Sequence, residues 1–406
     1  MVLTHVVNNS KNIQSSEKIN SFISECLEKG IPLEKIGYEF EKTKLSDNDK
    51  KKKNGQFYTP EHIVEYIIQY LSIDKKMKII DPACGTGSFL IPIIQKLYNG
   101  EKLDSVYGID IDSEALELLT SLLNMMGLEI RTENLINGNT IVSNKEISNR
   151  AVDLKSITPD NGFDIVIGNP PFTTLKKWKD YDPKDEDYQG LLNGQVNAAT
   201  LMIAKGLKIL KPKGILAYVL PKNILHVDSY ALLREYLLNN TTILHIVDLR
   251  SSFKNVRGEQ IVLFIQKKKP NNDHVIEIKV ESNESSESVY IEQNRFLKGN
   301  KIHVFERNED YLLINDLINQ GLPLKKLVND QIFRGISLPS KYVKKLNTNN
   351  SGKVLPYIRG KNIQKFSMTP ELGVDKNDLS MLNNEKINDL LKPKLVVQNI
   401  FSSESG

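Results

Sequence analysis

The sequence predicts an α/β fold built on a mostly parallel sheet with helices on both faces. Three observations carry this. Short apolar runs alternate with amphipathic stretches from Gln56 to about Gln266, the pattern of successive βαβ units. One run, Met77 to Ile80, passes at Asp81 into Asp81-Pro82-Ala83-Cys84-Gly85-Thr86-Gly87-Ser88-Phe89-Leu90, a strand-to-helix turn whose glycines let the backbone approach a ligand. Another, Phe163 to Gly168, ends in Asn169-Pro170-Pro171-Phe172. Two prolines there cannot continue a sheet, because proline lacks an N–H and fixes φ. Strand ends of open α/β sheets are where ligands bind.

Residues 1–50 read as a small helical segment, with Ile19, Phe22, Ile23 and Leu27 at helical spacing. Lys50 to Lys53, beside Asn54-Gly55, read as a solvated linker. A helix then opens with Thr59 as N-cap and Pro60 in its first turn, its apolar face being Ile63, Ile67 and Leu71. Expected next are a helix from Phe89 to Leu97, a strand from Ser105 to Ile109 ending at Asp110, and a helix from Ser113 to Met126. After the strand at 163–168 follow a helix from Val196 to Leu210, stopped by Lys211-Pro212-Lys213-Gly214, and a strand from Ile215 to Leu220. A helix from Tyr230 to Leu238 and strands from Ile243 to Leu249 and Gln260 to Gln266 complete the α/β part. The expected domains are a helical segment at 1–50, an α/β catalytic domain at 51–270, a linker or insertion at 271–305, and a partial α+β domain at 306–406.

The 406 residues, 40% hydrophobic and 26% charged, suit a globular protein of two or three domains. No window approaches the roughly 18 consecutive apolar residues of a membrane span, and Met1 to Lys11 lack the apolar stretch of a secretory signal. Cys26 and Cys84 are far apart and not in a metal-ligand spacing, so no metal is expected and a reducing cytoplasm is the predicted setting. A net charge of +4 is compatible with nucleic acid, with any basic footprint being local.

Gly85 and Gly87 alone are weak evidence for a cofactor. Asp110, about 20 residues further on at the end of the next strand, is placed to accept hydrogen bonds from ribose hydroxyls. No third glycine completes a dinucleotide fingerprint and no lysine completes a phosphate loop. A ribose-bearing cofactor without a pyrophosphate fits. Asp112 reads as a helix N-terminal carboxylate, and Cys84 as a small packed thiol.

Four blocks in order, Gly55-Gln56-Phe57-Tyr58-Thr59-Pro60, Asp81 to Phe89, Gly108-Ile109-Asp110 and Asn169 to Phe172, resemble the N6-adenine DNA methyltransferases, most of all type I modification subunits and fused type IIG restriction-modification enzymes. The resemblance covers about residues 50–270. It implies a class I Rossmann-like fold with a mostly parallel seven-stranded sheet and S-adenosyl-L-methionine as cofactor. Tyr58 and Thr59 would contact its methionine end, Asp81, Gly85 and Gly87 would line the methionine and sugar, and Asp110 would hold the ribose. In the family an acidic residue often follows the third strand; Asn139 stands there in this sequence.

Adenine N6 is a poor nucleophile because its lone pair is delocalised into the ring. The Asn169 side-chain oxygen and the Pro170 carbonyl would accept its two hydrogens, with Pro171 restricting Pro170 to an extended conformation and Phe172 offering a stacking face to a base taken out of the duplex. Lys176, Lys177 and Trp178 are candidates for contact with DNA, against the alternative of a mobile loop of mixed charge. Asp273, Glu277 and Lys279 have the rough spacing of a nuclease site, but the alternation of Val275 to Val280 places Glu277 and Lys279 on the solvent face of a strand. Stretches around Leu322, Ile332 and Leu355 resemble the opening of a type IIG target-recognition domain, with Arg334, Arg359 and Lys361 as DNA-contact candidates, and the sequence stops where such a domain would continue. The expected partners are double-stranded DNA and a specificity or restriction subunit, with no membrane. A glutamine-N5 protein methyltransferase, an RNA amino-group methyltransferase and an inactive fragment that binds DNA or a partner remain open on these residues.

Overall fold

The computed structural model describes residues 16–45, 59–192, 194, 196–250, 258–281, 287–321, 340–345, 354–357, 363–364, 367–368 and 371–381. Nine strands form one sheet: β1 Ile79–Asp81, β2 Val106–Asp110, β3 Leu135–Asn137, β4 Phe163–Gly168, β5 Leu210–Pro221, β6 Thr242–Asp248, β7 Gln260–Gln266, β8 Val275–Val280 and β9 Val289–Glu292. Their spatial order is β9-β8-β6-β7-β5-β4-β1-β2-β3. From β3 to β5 every pairing is parallel, and β7 runs antiparallel between β5 and β6. These seven strands are the mostly parallel sheet that the resemblance implies. It is widened by β8, parallel to β6, and β9, antiparallel to β8, so the segment expected as a linker or insertion supplies two strands.

The strands alternate between two cores, as a pleated sheet buried on both faces requires. Leu216, Tyr218 and Leu220 of β5 face one core and Ala217 and Val219 the other. The second core is filled by helices α1 (16–28), α2 Leu33–Leu45, α3 Glu61–Tyr70, α4 Leu90–Leu97 and α5 Ser113–Met125. The first is filled by α6 Ala198–Ile209 and α7 Ala231–Asn240. Asp112 caps α5, its carboxylate accepting from the N–H groups of Glu114 and Ala115 at 3.0 and 3.3 Å. Thr59 does not cap α3. Pro60 holds the N-cap position with no side-chain hydrogen bond, and the Thr59 hydroxyl is used elsewhere.

Two polar clusters hold outlying pieces to this frame. Lys205 of α6 is 2% exposed and donates to Asp185 and Asp187 at 2.7 and 2.8 Å. Burial alone would raise the Asp185 carboxyl, but hydrogen bonds from Lys205 and Ser143 hold it below the usual carboxylate range. The loop that follows Phe172 is thereby fastened to α6. On the other face His245 of β6, fully buried, sits under Tyr66 and Tyr70. Its Nε2 lies 2.7 Å from the Tyr66 hydroxyl and its Nδ1 3.0 Å from the Glu277 carbonyl. Burial depresses its pKa, so the neutral ring donates from Nδ1 and accepts from Tyr66. Glu277 accepts from Ser288 and Lys279 lies over the Tyr66 ring; the strand face read as solvent-facing is half-buried at Glu277 and Lys279 and exposed at Val275. No group of three or more His, Cys, Asp or Glu that could hold a metal ion occurs among the described residues, and no described helix is long and apolar enough to cross a membrane.

Residues 317–406 form a separate compact unit. Within it Lys344–Lys345, Val354–Tyr357 and Leu372–Asp375 form an antiparallel sheet, and Ile363–Gln364 pairs with Ser367–Met368. Helix α8, Asn308–Gln320, covers the helix expected near Tyr311 to Ile318. Arg334, Arg359 and Lys361 lie outside the described residues.

Removing the Lys205 ammonium takes the shared, buried cation from two carboxylates, leaving Asp185 with the Ser143 hydroxyl and Asp187 with the more exposed Lys208. Lys205→Ala is expected to destabilise the protein by about 3–5 kcal/mol in chemical denaturation followed by tryptophan fluorescence; Trp178 is the only tryptophan and sits in the fastened loop.

Candidate active site

The strand order reverses between β1 and β4, and in open α/β sheets the crevice beyond the carboxyl ends at such a reversal is the binding position. A cavity of about 490 Å³ opens there. β1 delivers Asp81, β2 delivers Asp110, the segment after β3 delivers Gly138 and Asn139, and the end of β4 delivers Asn169 and Pro171. Gly85, Thr86 and Ser88 of the glycine-bearing turn, Thr59 before α3, and Phe40 and Glu41 of α2 complete much of the wall.

Asp110 is 6% exposed, and each of its oxygens is fixed by a backbone N–H. Oδ2 accepts from Gly85 at 2.7 Å and Oδ1 from Asp112 at 2.8 Å. Asp81 is 1% exposed; its Oδ1 accepts from the Ala83 N–H at 3.0 Å. Burial, reinforced by the nearby Asp110 and Glu41 carboxylates, pushes the Asp81 carboxyl up to about 8. Gly168 has φ +150, and a Cβ there would stand 2.5 Å from Asp81 Oδ1. The glycine-bearing turn and the Asn-Pro-Pro turn therefore meet at this contact. The Asn169 Nδ2 donates to Thr59 Oγ1 at 3.1 Å, which is where the hydroxyl expected to cap α3 is used.

The other residues singled out from sequence are distributed as follows. Gly87 does not line the cavity. Its φ is +91, and a Cβ would come within 2.4 Å of Leu119 Cδ1, so glycine is required there for packing against α5. Asn139 lines the cavity, and its Oδ1 accepts from the Ile141 N–H at 3.0 Å. Pro170 is buried and Phe172 is half-buried against the core. Lys176, Lys177 and Trp178 are exposed. Trp178 has φ +61 and its N–H donates to the Tyr181 carbonyl at 2.9 Å. Tyr58 lies outside the described residues. Sequence reasoning missed Glu41 and Phe40, because nothing in helix spacing at 33–45 says which turn meets a cavity wall formed far along the chain.

Cys84 also lines the cavity. Burial and the Asp110 and Asp81 carboxylates push its thiol well above the ordinary range, so it is held protonated and unsuited to nucleophilic attack.

The sequence profile described as N-6 DNA Methylase matches residues 37–310. The chain belongs to the N-6 DNA methylase family. Among its relatives, the type II methyltransferase M.VspI of Vibrio sp. (strain 343) is 29% identical over 226 residues, covering 55% of this chain and 50% of that protein. The type I restriction enzyme MpnII methylase subunit of Mycoplasma pneumoniae is 27% identical, covering 55% of this chain and 42% of that protein. The type II restriction enzyme and methyltransferase RM.Eco57I of Escherichia coli is 25% identical, covering 54% and 29%. The chain thus spans half or less of the length of these relatives. Among solved structures, a chain of the type I R-M system superposes with a TM-score of 0.50 at 16% identity, covering 69% of this chain and 67% of that one, a likeness of fold.

Gly168→Ala is expected to cost about 1–3 kcal/mol of stability, and adding Asp81→Ala to recover part of that loss; a double-mutant cycle by denaturation measures the coupling. The raised Asp81 pKa fixes a sign as well. Between the unfolded carboxyl pKa near 4 and the folded value of about 8, the native state binds the extra proton, so stability falls as pH rises through that window. Melting curves from pH 5 to 9 should show the fall, and Asp81→Asn should flatten it.

Proposed function

We propose that this chain transfers a methyl group from S-adenosyl-L-methionine to the N6 amino group of adenine in duplex DNA, within a restriction-modification system. The observation that carries the proposal is the placement of Asn169 at the mouth of β4, with its amide nitrogen tied to Thr59, on the wall of a cavity that also holds Asp110 and Asp81.

The cavity suits this cofactor. Five acidic side chains, Glu41, Asp81, Asp110, Asp112 and Glu114, line it, and no Lys, Arg or His does so among the described residues. Such a wall repels phosphates and favours a ligand carrying positive charge. Asp110 would hold the ribose, its oxygens oriented by the Gly85 and Asp112 N–H groups and each with lone-pair capacity for a hydroxyl. Gly85 lets the turn approach the ligand. When bound, the cofactor supplies a methyl group on a positively charged sulfur.

Toward the substrate, the Asn169 amide is oriented by its N–H to Thr59, so its Oδ1 serves as acceptor for one hydrogen of an exocyclic amino group. The Pro170 carbonyl serves the other, with Pro171 fixing the backbone between them. Two acceptors localise the nitrogen lone pair without a proton leaving first, an electrostatic preorganisation that needs no covalent intermediate. The protonated state of Cys84 agrees with chemistry on an amino nitrogen. The family match favours DNA over a glutamine amide or an RNA base. Lys176, Lys177 and Trp178, exposed on a loop that begins beside Phe172, would meet the duplex; Arg334, Arg359 and Lys361 are proposed as further contacts. The Mycoplasma relative's description as a methylase subunit supports a specificity subunit as partner.

Transfer of labelled methyl groups from S-adenosyl-L-methionine to unmethylated genomic DNA should yield N6-methyladenine, and Asn169→Ala should cut the rate by roughly 10²–10³ while the protein still folds. Wild-type-level transfer by the variant would sink the mechanism. Transfer that appears only after a specificity subunit is added would place target recognition on that partner.

A further inference from the structure

Helix α2 lies outside the βαβ units, yet it brings one carboxylate to the wall of the cavity. Gly37 backs it against the turn after β1: a Cβ there would stand 2.9 Å from Thr86 Oγ1. One helical turn later, Glu41 Oε1 accepts from the Thr86 hydroxyl at 2.8 Å and meets the Thr86 N–H at 3.4 Å. Gly85, with φ +53, is bounded by the same oxygen, since a Cβ there would lie 3.0 Å from it. The helix is thus seated on the glycine turn through two positions without side chains, and its carboxylate shares the cavity with Asp81 and Asp110.

Burial raises the Glu41 carboxyl, and Asp110 and Asp112 raise it further. No basic side chain among the described residues lines the wall to offset this. Three acidic groups collected there are costly unless a cation arrives from outside. A carboxylate matches a donor-rich cation: an ammonium offers three N–H groups, whereas a sulfonium offers none.

We propose that Glu41 receives the ammonium group of the amino-acid end of the cofactor, and that α2 serves as a clasp on that end of the cavity. This rests on the cofactor assigned above. Thr86 is the positioning residue: its hydroxyl holds Glu41 Oε1, and Gly37 leaves room for that bond.

The test compares two ligands, S-adenosylhomocysteine and 5′-methylthioadenosine, which share adenosine and a neutral thioether and differ in the amino-acid end. Calorimetric titration of the whole chain should show Glu41→Gln weakening S-adenosylhomocysteine at least tenfold, with 5′-methylthioadenosine changed less than twofold. Thr86→Val, which removes the hydroxyl but keeps the carboxylate, should cost S-adenosylhomocysteine less than Glu41→Gln does. Equal losses for both ligands in Glu41→Gln, or no loss for either, would overturn the proposal while leaving the cofactor assignment in place. A wild-type chain that binds neither compound would overturn the cofactor assignment and the role of Glu41 with it. If Glu41→Gln melts well below the wild type, Glu41→Asp decides: selective loss of S-adenosylhomocysteine supports the proposal, and an unselective loss overturns it.

Discussion

The space between the ends of β1 and β4 holds one carboxylate and no second side chain. Asp81 fills it, and Gly168 is glycine because of it. The rest of the site is referenced to this contact. The two strands pair in parallel with Ile79 opposite Ile165 and Ile80 opposite Val166, so the turn after Asp81 and the turn after Gly168 leave the sheet side by side. One carries Gly85 and Thr86; the other carries Asn169 and Pro171. A side chain at Gly168 would push these turns apart and uncouple the two halves of the cavity. The close approach has a cost, visible as a carboxyl pushed up to about 8 by burial and by Asp110 and Glu41. Sites of ligand binding commonly carry such costs.

Around that contact the polar groups are arranged in chains of command. Asp110 does not stand alone at its strand end; two backbone N–H groups set the direction of its oxygens. Asn169 is turned by Thr59, a residue 110 positions earlier in the sequence. Glu41 is turned by Thr86. In each case a short-range donor or acceptor removes rotational freedom from a longer side chain before any ligand arrives, which lowers the entropy lost on binding. The same logic extends outward to the loop after Phe172, where buried Lys205 fixes Asp185 and Asp187.

Much of this was legible in the sequence because it is written in local pattern. Apolar runs such as Phe163–Gly168 announce buried strands, and the strand-turn-helix around Gly85 and the Asn-Pro-Pro turn announce where they stop. What local pattern could not carry was partnership across long separations. Thr59 before Pro60 reads as an N-cap, yet its hydroxyl is taken by Asn169, a competition that only the folded chain decides. Gly87 reads like Gly85, but one faces the cavity and the other the Leu119 side chain. β3 is three residues long with partly exposed side chains, too short to leave a periodic trace. The alternation of Val275 to Val280 has the period the sequence shows, but the Tyr66 ring under Lys279 comes from α3, some 200 residues earlier.

The acidic wall of the cavity links stability to the proposed chemistry. Glu41 and Asp81 both have carboxyls raised by burial and by the Asp110 carboxylate, so in the ligand-free protein ionising them works against the fold. A cation placed among them reverses the sign of that interaction, and the chain gains stability in proportion to the affinity. In the proposed reaction the cofactor enters with positive charge at both its sulfur and its amino group and leaves with only the second. Carboxylates that answer the ammonium hold cofactor and product alike, whereas the field of the remaining acidic groups favours the cofactor before transfer. On the proposed reading the cavity would grip one end of the ligand throughout and loosen its hold on the reacting end once the methyl group has gone, a division of labour set by the acidic lining.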